Sequence, residues 1–151
     1  MSLKLIIGIM IDSYHIAAWK YNIIEKISAS DFASVTVILK NSNGQSADKS
    51  KINLGLLVYR LHIKLDKIIF GNRNDYSQKK DIRALLKNVP EVSLSTEGND
   101  DCREFVSEDI EKISKYDPDV ILNFGFGLLG GQILKVPVYG VWSYSMDNFD
   151  N

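Results

Sequence analysis

Lys4-Leu5-Ile6-Ile7-Gly8-Ile9-Met10-Ile11 is the stretch that decides the fold. It is a continuous apolar run with one glycine inside it, closed by Asp12. A strand with one wet face alternates apolar and polar side chains. A run without alternation buries both faces, as strands of covered parallel sheets do. The run is too short to span a bilayer as a helix and lacks the pattern of a signal peptide.

Reading outward from this strand, Asp12 and Ser13 are candidate helix caps. Ile16, Trp19, Ile23, Ile24 and Ile27 follow at helical spacing and predict a helix over about 15–28. Val35 to Lys40 is β-branched and predicts the second strand. Strand, helix and strand in that order imply a parallel pair joined by a right-handed crossover. Asn41 to Ser50 is polar and predicts a loop. Leu54, Leu57, Val58, Leu61, Leu65 and Ile68 form a second helical stripe, over about 52–70, ended by Gly71. That stripe is expected to pack on the sheet or on a second copy, so a homodimer is a partner expectation.

Further along, 72–80 predicts a polar loop, 81–87 a short helix ended by Pro90, and 91–95 a short strand. Ser107 is a candidate cap for a helix reaching Lys115, with Ile110 and Ile113 facing inward. Asp117-Pro118-Asp119 breaks it, and Val120 to Phe124 is the next buried strand. A glycine-rich turn over 125–131, a short helix over 131–134 and a last strand over 137–144 complete the pattern. The expectation is a single α/β domain over 1–151, doubly wound, with a mostly parallel sheet and helices on both faces. Leu5, Ile7, Ile9, Val37, Val120, Leu122 and Val141 are its predicted buried strand residues.

Composition agrees with such a domain. The 151 residues are 45% hydrophobic and 25% charged, with a formal net charge of −1. That balance gives no reason to expect DNA or a membrane as partner. The nearest thing to a basic cluster is Lys79, Lys80 and Arg83. One cysteine, Cys102, excludes an intrachain disulfide and favours a reducing, cytoplasmic setting. It stands in the run Gly98-Asn99-Asp100-Asp101-Cys102, where acidic neighbours disfavour a thiolate nucleophile.

In an open parallel sheet, ligands bind beyond the carboxyl ends of the strands. That rule selects Asp12 to Tyr14, Asn123 to Gly127, and Ser143 to Asn148. The middle region is the most unusual, with four glycines among the seven residues 125–131. Glycines permit either a close backbone approach to a flat ligand or a tight turn with positive φ. The spacing is neither a dinucleotide fingerprint after the first strand nor a phosphate loop with Gly-Lys-Ser/Thr. His15 lies near the end of the first strand, and His62 beside the long apolar stripe. No Cys/His spacing suits zinc, and there is no Gly-x-Ser-x-Gly elbow.

The segment Asp117-Pro118-Asp119-Val120-Ile121-Leu122-Asn123-Phe124-Gly125-Phe126-Gly127-Leu128-Leu129-Gly130-Gly131-Gln132-Ile133-Leu134, followed by Val136-Pro137-Val138-Tyr139-Gly140-Val141, resembles the core of the formyltransferase family. That family includes the methionyl-tRNA and glycinamide ribonucleotide enzymes. The resemblance covers about the last quarter of the chain and otherwise extends only to layout. It implies 10-formyltetrahydrofolate as cofactor, held partly by the turn Asn123, Phe124, Gly125, Phe126 and Gly127. It also implies a family domain that continues past Asn151.

The family's last strand carries Asn-x-His, with an Asp farther on. Aligned on Gly140, those two positions hold Ser143 and Ser145. A serine hydroxyl donates one hydrogen bond but does not become a cation near neutral pH. Asp147 and Asp150 come too early to match the family Asp. The resemblance therefore implies a formyltransferase-like domain whose residues 1–151 do not transfer formyl groups alone. The competing expectation is a non-catalytic α/β binding domain, such as the nucleotide-sugar half of a glycosyltransferase.

Overall fold

The computed structural model describes residues 4–42, 78–99 and 102–144. The predicted loop after Ser42, the Leu54–Ile68 stripe, His62, Ser145, Asp147 and Asp150 lie outside the described residues.

Five parallel strands form the main sheet: β1 (Leu5–Ile11), β3 (Ala33–Asn41), β5 (Glu91–Leu94), β8 (Val120–Asn123) and β9 (Val141–Ser143). Their spatial order is β5-β3-β1-β8-β9. The expected α/β class with a largely parallel sheet is therefore observed. Succession along the chain runs outward from β1 through β3 to β5, then returns to β8 on the other side. The order reverses between β1 and β8, which makes that junction the topological switch point.

The continuous apolarity of β1 has the predicted cause. Ile7, Ile9 and Ile11 enter one buried cluster with Ile24 of α1 (Ala18–Ser28), Ile82 and Leu86. Met10, between them, enters a second cluster with Ile110 and Ile113 of α2 (Ser107–Ser114). Gly8 keeps the strands close: a Cβ there would stand a tight 3.3 Å from both Ile121 Cγ1 and Val37 Cγ1 on the neighbouring strands.

Strand β3 changes face partway. Ile7 pairs with Val35, but Gly8 pairs with Val37, so Thr36 is an extra residue, a bulge. Ala33 and Val35 pack with the α1-side cluster, whereas Val37 and Leu39 belong to the other. The Thr36 hydroxyl is buried there without a hydrogen-bond partner.

Several local expectations are corrected. His15–Ala17 is a strand, β2, paired antiparallel with β4 (Lys79–Asp81), so α1 starts only at Ala18. Residues 82–89 make turns rather than the predicted helix over 81–87; Ile82 O accepts from both Leu85 N and Leu86 N, and Leu86 O from Val89 N. Thr96–Asn99 (β6) and Cys102–Phe105 (β7) pair antiparallel where a polar run was read. Ser107 is already helical and no side chain caps α2. Asp109, 4% exposed, accepts from the Ser95 amide at 2.8 Å and from Lys112 at 2.9 Å. The last strand is only Val141–Ser143, because Pro137 to Gly140 closes a turn through Gly140 N to Pro137 O.

Candidate functional site at the carboxyl edge

The site begins where β1 and β8 end side by side. Met10 pairs with Asn123, and the Phe124 amide donates to Met10 O at 2.9 Å. The next residue must cross the end of β1. A Cβ on Gly125 would stand 2.4 Å from Asp12 N and 2.9 Å from Asp12 Oδ1. Only glycine fits, so here the glycine serves close backbone approach. At Gly127, φ is +67° and nothing would meet a Cβ, so there it serves the turn.

Asn123 holds the turn in shape. Its Oδ1 accepts from Phe126 N at 2.9 Å and Gly125 N at 3.3 Å. Its Nδ2 donates to Gly127 O at 2.8 Å and to Ser143 Oγ at 3.0 Å. With only 4% exposure, this amide has spent all of its bonding capacity inside the protein. Asn123 therefore builds the edge, and its side chain has nothing left for a ligand.

The two phenylalanines of the turn face opposite ways. Phe126 is fully buried, its ring 5.6 Å from that of Phe105. Phe124 lies on the α1 side with its ring edge-on to Trp19 at 6.0 Å. The Tyr144 ring also lies 5.0 Å from that of Trp19. Ser143 ends β9 directly opposite Asn123 in register and is exposed. Asn123, Phe124, Gly125, Gly127 and Ser143 thus meet at one edge, while Phe126 contributes only its backbone there.

Sequence reasoning did not single out Lys20. From the first turns of α1 its ammonium reaches Phe124 O at 2.6 Å. It lies 5.4 Å from the Trp19 ring centre and 5.8 Å from that of Phe124. Burial lowers its pKa below the ordinary lysine value, and the nearby Asp12 carboxylate partly opposes that shift. A lysine on an apparently amphipathic helix reads as solvated, and only the fold brings it over the switch point.

Beside this edge runs an apolar groove of about 970 Å³. Trp19, Ile23 and Ile27 of α1 form one wall, with Ile7 and Leu122 beneath and Tyr144 at the carboxyl end. Leu5, Leu122 and Val141, predicted buried, are only partly so. Leu5 and Leu122 line this groove, and no described element covers them.

His15, a further candidate, is an exposed strand residue whose Nε2 lies 3.7 Å from Asp81. Arg83 also pairs with Asp81, at 3.2 Å, and stacks on Tyr14; Lys80 stacks on Tyr21. The basic cluster is thus partly engaged locally. The Tyr14 hydroxyl donates to Glu91, and Lys40 lies 5.1 Å from its ring centre. Burial first, and then the Glu91 carboxylate, push the Tyr14 hydroxyl up to about 12.

Chemically, the edge offers the exposed hydroxyls of Ser143 and Tyr144, the exposed Asp12 carboxylate, the half-buried Lys20 ammonium and a set of aromatic rings. The Ser143 hydroxyl is hydrogen-bonded to Asn123, which is no base, so the described residues do not activate it as a nucleophile. Among the described residues no helix is long and apolar enough to cross a membrane. Comparison with models of known protein families and with curated proteins gives no match.

Proposed function

We propose that the chain is a ligand-binding α/β domain of formyltransferase-like design that does not itself transfer formyl groups. The observation that carries this reading is the construction of the edge at the switch point. Gly125 is pressed onto Asp12, Asn123 fixes the turn, and an open face remains beside Ser143 and the aromatic rings. Ligands of doubly wound sheets bind at this place in the fold.

The internal bonding narrows how a ligand is held. The amides of Phe124, Gly125 and Phe126 are all engaged, and Gly130 N donates to Arg103 O. A diphosphate would need such amides free. The nucleotide-sugar alternative is accordingly the weaker reading. A flat heteroaromatic ligand such as a folate can instead use the open Gly127 backbone, the Ser143 hydroxyl and the rings of Trp19 and Tyr144.

Calorimetric titration with 10-formyltetrahydrofolate tests the proposal. Saturable binding that weakens in Ser143→Ala and Trp19→Ala supports it. No heat of binding up to millimolar ligand sinks the folate assignment.

A further inference from the structure

We propose that the groove beside α1 binds an elongated apolar carboxylic acid, with its tail along Trp19, Ile23 and Ile27 and its carboxylate on Lys20. This goes beyond the folate reading, because it rests on the groove and on Lys20 rather than on the glycine turn.

The tail's surroundings are carbon. Trp19, Ile23 and Ile27 are spaced four apart, so they present one continuous stripe along the helix. From the first to the last of them the wall runs ~12 Å at the rise of an α-helix. Leu122 and Ile7 floor it. A groove of about 970 Å³ with such walls gains most from an apolar chain laid lengthwise.

The head is selected by charge. The Lys20 ammonium is not part of the groove's lining but lies just beyond it, 5.4 Å and 5.8 Å from the centres of the Trp19 and Phe124 rings, which do line it. It has three donors, and Phe124 O takes one of them. No ion pair joins it to a carboxylate among the described residues; Asp12 acts on it only through space. A neutral occupant, including the apolar face of a second copy, would leave this cation without a counter-charge. A carboxylate at the end of an apolar chain supplies the missing partner and leaves the chain in the groove.

The test uses the full chain and two amphiphiles with the same tail, dodecanoate and dodecyltrimethylammonium, below their micelle concentrations. Binding is read by the fluorescence of Trp19 and Trp142 and by calorimetry. Dodecanoate is expected to bind one per chain and about 10-fold or more tighter than the cation. Lys20→Gln should abolish that preference, and Lys20→Arg should retain it. Equal affinities for the two amphiphiles overturn the proposal, and that comparison needs no variant to fold. So does an unchanged preference in Lys20→Gln. A protein that sediments as a dimer at micromolar concentration and binds no dodecanoate assigns the groove to a second copy. Loss of dodecanoate binding with folate binding intact would overturn this inference alone.

Discussion

Replacing Gly125 by alanine adds one methyl group where β8 hands the chain across the end of β1. The added carbon would sit 2.4 Å from Asp12 N, when real Cβ atoms keep at least 3.0 Å. The obstructing atom is backbone, so no rotamer change relieves the clash. The strand end or the turn must move, yet neither is free. Phe124 N is bonded to Met10 O, and Gly125 N and Phe126 N are bonded to Asn123 Oδ1. Overpacking of this kind costs about 1–3 kcal/mol, and the rigid obstacle puts Gly125→Ala near the upper end. Gly127→Ala is the control. Its Cβ meets nothing, and only its φ of +67° opposes it, for ~1 kcal/mol. Urea unfolding followed by circular dichroism separates the two. With a slope of ~2 kcal/mol/M, Gly125→Ala should lower the midpoint by ~1.5 M and Gly127→Ala by about a third of that. A Gly125→Ala midpoint no lower than that of Gly127→Ala would refute the close approach, and with it the geometry assigned to the switch point.

Other outcomes follow from single residues. Asn123→Ala removes four hydrogen bonds from a buried position and leaves the turn amides without their acceptor, so it should cost ~2–4 kcal/mol in the same urea assay. Ile9→Ala, at a fully buried site in the central strand, should cost ~2–5 kcal/mol; a change under ~0.5 kcal/mol would contradict its place in the core. Tyr14 should ionise near pH 12 in an ultraviolet absorbance titration, and Glu91→Gln should bring it part of the way back. Because folding raises this pKa, the stabilisation is complete below about pH 10, the unfolded value, and is lost as pH rises through about 12. Tyr14→Phe should remove that late step from the titration. Single-turnover incubation of excess protein with 10-formyltetrahydrofolate and an amine acceptor should release no tetrahydrofolate. Release that saturates with acceptor and is lost in Ser145→Ala would show a serine-based site instead.

How far the sequence could be read depended on what each segment's pattern measures. The Leu5–Ile11 strand announced itself because burial on two faces leaves no polar residue in it. Residues 120–122 are legible for the same reason, and Ile110 and Ile113 by their helical spacing. Strands β2, β4, β6 and β7 have three or four residues each, and β2, β4 and β7 are exposed or mixed, so no periodicity marks them. His15 and Ile16 fell into the helical pattern of α1 because Ile16 is buried, at 5% exposure, but from a strand. The bulge at Thr36 moves the following residues to the opposite faces. Alternation within Ala33–Asn41 therefore cannot assign faces without the partner register. The glycine turn was legible as a place but not as a mechanism. Its two roles, approach at Gly125 and positive φ at Gly127, depend on where β1 ends.

The candidate site shows why residue type alone gave the wrong emphasis. Asn123 at a strand end, in a ligand-binding position, reads as a recognition residue. Its four bonds are nonetheless all internal, and one of them occupies Ser143. The edge has used its neutral polar groups to hold one chain crossing in place. Among the described residues, the groups with unspent capacity include the proton of the Ser143 hydroxyl and two of the three donors of Lys20. Of these, the ammonium carries the larger energetic consequence, since it is half-buried near two rings and among the described residues its hydrogen bond is to a backbone carbonyl. An incompletely paired cation in such surroundings is costly to leave as it is and rewarding to pair. Specificity at this edge should therefore follow ligand charge more than ligand hydrogen bonding. Lys20→Gln should change which ligands bind, whereas Ser143→Ala should change only how tightly they do.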